Sequence, residues 1–129
     1  MKTLLTTLFI LIFAELSSAQ TIGSSFADLK QSYPDGKFEL TDNKDAYHYI
    51  VDAKNNQTVY LLDFDLIIIA IIICPLTDDM RQSWIETVNK SWISVSNTEW
   101  KYYRDNGMVM SMKMKTLSSG VVFVINQVY

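Results

Sequence analysis

The chain contains few of the residues from which disulfide frameworks and metal sites are built. Its 129 residues include one cysteine, Cys74, and one histidine, His48. A single cysteine cannot form a disulfide within the chain, and a single histidine excludes a histidine-rich metal site. We therefore expect packing, not covalent or metal cross-links, to stabilise the fold, and we expect no catalytic, cofactor or metal site.

Basic charge and glycine are also scarce. The chain has 11 Lys and Arg residues against 14 Asp and Glu residues, a net charge of −3, and only 4 glycines. It has neither the basic patch that nucleic-acid binding requires nor the glycine spacing of a phosphate loop. We expect no nucleic-acid partner.

The first 19 residues have the pattern of a secretory signal. Lys2 precedes an apolar stretch over Leu4–Ala14, and Ser17-Ser18-Ala19 supplies the small residues found at cleavage sites. The sequence thus predicts a signal peptide over 1–19 and one domain over 20–129, exported to the periplasm or the exterior. We expect no transmembrane span in the mature chain, because the remaining apolar runs are too short.

The most apolar stretch of the mature chain is Leu66–Cys74, which contains six isoleucines and lies between Asp65 and Pro75. β-branched residues favour strands, and apolar residues on both parities require both faces of the strand to be covered. We expect a central strand with helices on one face and a loop, a second layer or a partner chain on the other. A buried helical turn and a membrane-contacting segment are the alternatives.

Two helices are predicted from their caps and spacing. Ser25 is a good N-cap for a helix over about 25–33, which Pro34 ends. Thr77, followed by two aspartates, begins a second helix over about 78–93. This second helix carries an apolar stripe in which residues recur every four positions: Met80, Trp84, Val88 and Trp92.

The other segments have the alternation or composition of strands. The predicted strands lie at 37–40, 46–52, 58–64, 66–74, 98–104, 108–115 and 121–129. Asp63-Phe64-Asp65 is the expected reversal before the isoleucine run, and Asp105-Asn106-Gly107 contains a strong hairpin signal. The fold class is therefore α+β, an antiparallel sheet of six to seven strands with two helices on one face and a possible α-βββ pseudo-repeat.

The segment Ile22-Gly23-Ser24-Ser25-Phe26-Ala27-Asp28-Leu29-Lys30 resembles the opening of two groups of small exported bacterial domains. These are the β-lactamase-inhibitor-protein-like domains and the SmpA/OmlA-type outer-membrane lipoproteins, and the match covers residues 22–64. The resemblance implies an α+β fold that binds proteins and catalyses nothing. The chain lacks the lipid-accepting cysteine of the second group and the paired cysteines expected of the first.

The residues Met108, Met110, Met112 and Met114 form a ladder on one side of a predicted strand. Methionine fills irregular cores, lines adaptable binding surfaces and, as a thioether, favours Cu(I). Core packing, a contact surface and a metal site are therefore three interpretations of this ladder.

These patterns favour a non-catalytic domain that binds another protein or a second copy of itself. Aromatic and methionine residues are enriched at interfaces. The candidate contact residues are Trp100, Tyr102, Tyr103, Met108, Met110, Met112 and Met114.

The alternative is a small-ligand carrier or an enzyme with a pocket between the helices and the sheet. Its candidates are Tyr47, His48, Tyr49 and the acids near Asp63, and a His48–Cys74 pair is the one conceivable nucleophilic arrangement.

Overall fold

Eight strands form one antiparallel sheet in the computed structural model, which describes residues 22–104 and 107–128. The predicted signal peptide, Asp105, Asn106 and Tyr129 lie outside these described residues. The elements in chain order are α1 (Phe26–Ser32), β1 (Lys37–Leu40), β2 (Tyr47–Asp52), β3 (Asn56–Leu62), β4 (Ile68–Pro75), α2 (Asp78–Ser91), β5 (Ile93–Ser96), β6 (Glu99–Tyr103), β7 (Val109–Leu117) and β8 (Gly120–Val128).

The strand order is β1-β2-β3-β4-β8-β7-β6-β5. Each half of the chain contributes one helix followed by four strands, and the halves meet where β4 pairs with β8. The pseudo-repeat is thus α-ββββ and not α-βββ. Both helices cover the same face of the sheet, because Leu29 of α1 and Trp84 of α2 belong to one buried cluster with Tyr60, Ile71 and Phe123.

The sequence predicted six to seven strands where the structure has eight, and β5 is the strand missing from the predicted ranges. Its four residues, Ile-Ser-Val-Ser, are all exposed at the edge of the sheet, and they pair only with β6. Ile93 and Val95 do alternate with two serines, but the helix predicted over about 78–93 includes Ile93, and the three residues that remain are too few to indicate a strand. Accordingly, α2 ends at Ser91, two residues before its predicted end.

The isoleucine run forms β4 and lies between β3 and β8, as expected for a central strand. A β-bulge opposite Leu61 and Leu62 leaves Ile69 without a directly paired residue. Because one extra residue reverses the alternation, Ile68 before the bulge and Ile71 and Ile73 after it all point into the core. The bulge therefore explains why Ile68 shares the core with Ile71 and Ile73 although its parity differs from theirs.

The predicted reversal before β4 is confirmed, although it contains neither glycine nor proline. The Asp63 carboxylate accepts hydrogen bonds from the Asp65 and Ile67 amides at 2.9 and 3.1 Å. Leu66 adopts a positive φ of 61°. The aspartate side chain therefore supplies the local hydrogen bonds that stabilise a turn with a strained leucine.

Both helix N-caps are also confirmed. The Ser25 hydroxyl accepts from the Asp28 amide, and the Thr77 hydroxyl accepts from the Met80 amide. Within residues 22–104 and 107–128, neither helix is long and apolar enough to cross a bilayer.

A buried tyrosine joins α1 to the sheet. Tyr49 of β2 is 1% exposed, and its hydroxyl donates to the Tyr33 carbonyl at the end of α1. The same oxygen accepts from the Gly36 amide at 3.0 Å. A Cβ at Gly36 would lie 2.2 Å from the Tyr49 ring, so glycine is required there by space.

We expect Gly36→Ala to destabilise the protein by about 2 kcal/mol, because the added methyl displaces a packed ring and disturbs its hydrogen bonds. Chemical denaturation of the variant and the wild type measures this difference. Ser119→Ala, in the exposed turn between β7 and β8, is the control and should leave the denaturation midpoint unchanged. Equal midpoints for Gly36→Ala and the wild type would contradict this packing.

Candidate functional site

Both described helices pack on one face of the sheet, and the opposite face is here named the open face. Strand neighbours in an antiparallel register share a face, so the rows of the open face follow from the pairing. The central row crosses seven strands in the order Lys37, Ile50, Val59, Ile72, Val124, Lys113 and Glu99.

Four neighbouring aliphatic side chains occupy the middle of this row. We name them the apolar row: Ile50, Val59, Ile72 and Val124. All four are half-buried, although they lie in the middle of the sheet. Leu61, Ala70 and Cys74, also half-buried, extend the apolar surface along β3 and β4. A contiguous apolar patch rimmed by charge is a common mark of an interaction surface.

Charged side chains flank the apolar row on both sides, with different balances. On β1 and β2 the open face carries Lys37, Glu39 and Asp52. On β6 and β7 it carries Glu99 and three lysines, which are Lys101, Lys113 and Lys115. The first side therefore has a charge of −1 and the second a charge of +2 with His48 neutral.

A local ion cluster partly neutralises the β1 side. Glu39 contacts Lys37 Nζ at 2.8 Å and His48 Nε2 at 3.1 Å. The hydrogen bond from Lys37, followed by that from His48, lowers the pKa of the Glu39 carboxyl. The same contact with Glu39 raises the pKa of Lys37. Asp52, whose carboxylate accepts only a Gln57 amide among the described hydrogen bonds, remains the available acid on this side.

A cysteine and a serine also belong to the open face. Burial raises the pKa of the half-buried Cys74 thiol, which therefore favours its neutral form at physiological pH. Ser111 of β7 is 3% exposed, and its hydroxyl has no hydrogen-bond partner among the described residues. A buried hydroxyl without a partner is unfavourable by roughly 1 to 3 kcal/mol.

The candidate contact residues taken from the sequence are dispersed by the structure. Trp100, Met110 and Met112 are 2%, 6% and 0% exposed, so they belong to the core. Trp100 also donates a 2.7 Å hydrogen bond from its ring nitrogen to Asn89 of α2. For these residues, core packing is the interpretation that the structure supports.

The other members of that set do not form one surface. Met108 and Met114 are partly buried against the core, and Tyr102 packs against Trp92 with ring centroids 5.4 Å apart. Tyr103 is 58% exposed, but it pairs with Val109 on the open face, the opposite side from Tyr102. A contact role stays a prediction for the exposed tyrosines, and Tyr103 is the one on the open face.

Sequence reasoning missed the apolar row as a site. The signal was present in the isoleucine run, whose second face needed a cover. Which residues lie beside Ile72 follows only from the strand register, because Ile72 and its neighbour Val124 are 52 positions apart in the chain.

The structure separates the residues of the proposed pocket. His48 faces the open side of the sheet, whereas Tyr49 is buried beneath the helices. His48 is aligned with Ala70, four residues along β4 from Cys74 and two strands away. Their backbones are therefore about 16 Å apart, too far for a cysteine–histidine pair. In the described part of the chain, no three His, Cys, Asp or Glu side chains cluster as metal ligands.

No protein-family model, curated protein or solved structure matches this chain. The resemblance of residues 22–64 to small exported bacterial domains therefore stays a prediction.

We expect Cys74 to react with a thiol reagent such as a disulfide dye more slowly in the native protein than in the unfolded chain. Because burial raises its pKa, the native thiol has less thiolate at a given pH. The native rate should keep rising roughly tenfold per pH unit above the pH at which the unfolded rate levels off. Identical native and unfolded rates throughout would show that Cys74 is freely solvated.

Proposed function

We propose that this protein is a non-catalytic binding domain that engages a protein partner through its open face. The observation that carries this proposal is the apolar row, four half-buried aliphatic side chains side by side on four central strands, on the face that neither described helix covers. Water contact with such a row is unfavourable by about 25 cal/mol for each Å² of apolar surface. A partner that excludes this water gains the corresponding free energy.

The rim of the open face supports a protein partner. Lys113 lies beside Val124, and Lys37 lies beside Ile50, so a charge borders each end of the apolar row. An apolar centre surrounded by polar and charged side chains is the usual anatomy of a protein interface. Export, which the first 19 residues predict, belongs to the same proposal and places the partner in the periplasm or outside the cell.

The proposal also fits the way in which the core is built. The helix side of the sheet holds large buried side chains such as Trp84, Trp100 and Phe123, which pack at ring distances of 6.1 to 6.2 Å. The second candidate function, a pocket between helices and sheet, is not supported, because His48 lies on the opposite face of the sheet.

Val59→Lys tests this proposal, because it places a charge in the centre of the apolar row. The immobilised wild-type protein should retain a partner from extracts or medium of the cells that produce it, and Val59→Lys should lose that partner. The matched control is Leu40→Lys, which adds the same charge at an exposed aliphatic position paired with Tyr47 on the helix side.

Circular dichroism and denaturation establish that Val59→Lys is folded before the comparison is made. Retention of the same proteins by Val59→Lys and the wild type would contradict the proposal. Loss of the partner by Leu40→Lys alone would place the interface on the helix side.

A further inference from the structure

We infer that the partner of the open face is a second copy of this chain, which packs face to face about a twofold axis parallel to the strands. This inference rests on the proposed function and specifies its partner. Two features of the open face carry it: the order of residues within the apolar row and the distribution of charge on the two sides of that row.

The apolar row is self-complementary under this rotation. It runs Ile50, Val59, Ile72, Val124 across β2, β3, β4 and β8, so its centre lies between β3 and β4. A twofold axis through that centre places Ile50 over Val124 of the second copy and Val59 over its Ile72. Every contact then pairs a larger with a smaller aliphatic side chain, which lets two sheets interdigitate at the usual separation of about 10 Å.

The charges select this axis over the alternative. An axis parallel to the strands brings β1 and β2 of one copy over β7 and β8 of the other, so that Asp52 approaches Lys115. It also places Lys37 over Lys113, but Lys37 is paired with Glu39 of its own chain. An axis perpendicular to the strands would instead place each strand over itself, with Lys37 over Lys37, Lys113 over Lys113 and Glu99 over Glu99. The perpendicular axis therefore opposes more like charges, so the charges favour the parallel axis.

The position of Asp52 relative to Lys115 can be followed along one row. Asp52 pairs with Gln57, and Gln57 pairs with Cys74. The register of β4 and β8 continues one residue beyond Ile73–Phe123 to Val122, which pairs with Lys115. The rotation therefore leaves Asp52 about one strand spacing, or ~5 Å, to the side of Lys115 of the second copy, within reach of a lysine side chain.

The overlap is large enough for a reversible dimer. Six strands and three rows span roughly 29 by 20 Å, so the pair would bury on the order of 1,200 Å² in total. This area is at the lower limit for a specific interface, and we therefore expect association that depends on concentration.

Sedimentation velocity of the wild-type protein from micromolar to submillimolar concentration tests the inference. We expect a monomer–dimer equilibrium whose dissociation constant rises roughly tenfold in Asp52→Lys and in Lys115→Asp. The double variant should restore dimerisation, because it reverses both members of the ion pair. Glu86→Lys, an exposed change on α2, is the matched control and should associate like the wild type.

Cys74 provides a second test that does not depend on mutation. Its β4 position is half a strand spacing from the axis, so the two Cys74 backbones would be about 11 Å apart. A short bis-maleimide should therefore cross-link dimers through Cys74. With the perpendicular axis the separation would be about 17 Å, and the short reagent would not join the two thiols.

Two results would overturn this inference. One is a wild-type protein that remains monomeric at every concentration and gives no Cys74 cross-link. The same conclusion holds if the Cys74 thiol reacts equally slowly at every dilution. The other is a dimer that is insensitive to the charge reversals. If the wild-type monomer binds a different protein and the Val59→Lys variant does not, the proposed function stands. Only the assignment of the partner to a second copy then fails.

Discussion

The strand β4 is the element on which the other strands and both helices depend. It joins the two halves of the molecule, because β3 pairs along one of its edges and β8 along the other. Ile71 and Ile73 fill the space beneath the helices, while Ile72 between them faces outward. A strand with aliphatic side chains on both faces is stable only in a layered structure, and residues 22–104 and 107–128 supply one helical layer.

The side chains that pack the helical layer against the sheet can be identified from the sequence alone. The four-residue spacing of Met80, Trp84 and Val88 predicts the buried stripe of α2, and the structure confirms that all three are buried. The N-caps at Ser25 and Thr77 are confirmed as well, since a cap depends on residues three positions apart. Caps and helical spacing depend on residues that are close in the chain, so the sequence predicts them directly.

The parts that sequence reasoning missed depend on long-range pairing. β5 has only four residues, so its alternation of Ile93 and Val95 with two serines is too short to separate it from a turn after the helix. The methionine ladder correctly indicated one shared face, but only the position of β7 beside Trp100 and Ile125 shows that Met112 is buried there. The apolar row likewise unites residues from β2, β3, β4 and β8, whose neighbourhood is a property of the register and not of any single segment.

The pairing of β4 with β8 has a consequence for the synthesis of the protein. Strands β1 to β4 are consecutive, so each can pair with its predecessor as it leaves the ribosome. The free edge of β4 has no neighbour until Gly120–Val128 is made, after α2 and the strands β5 to β7. During that interval an uncharged, isoleucine-rich edge is a template for wrong pairing with other chains. Pairing with β8 removes this exposed edge, and chains that stop before β8 should therefore be the most dependent on chaperones.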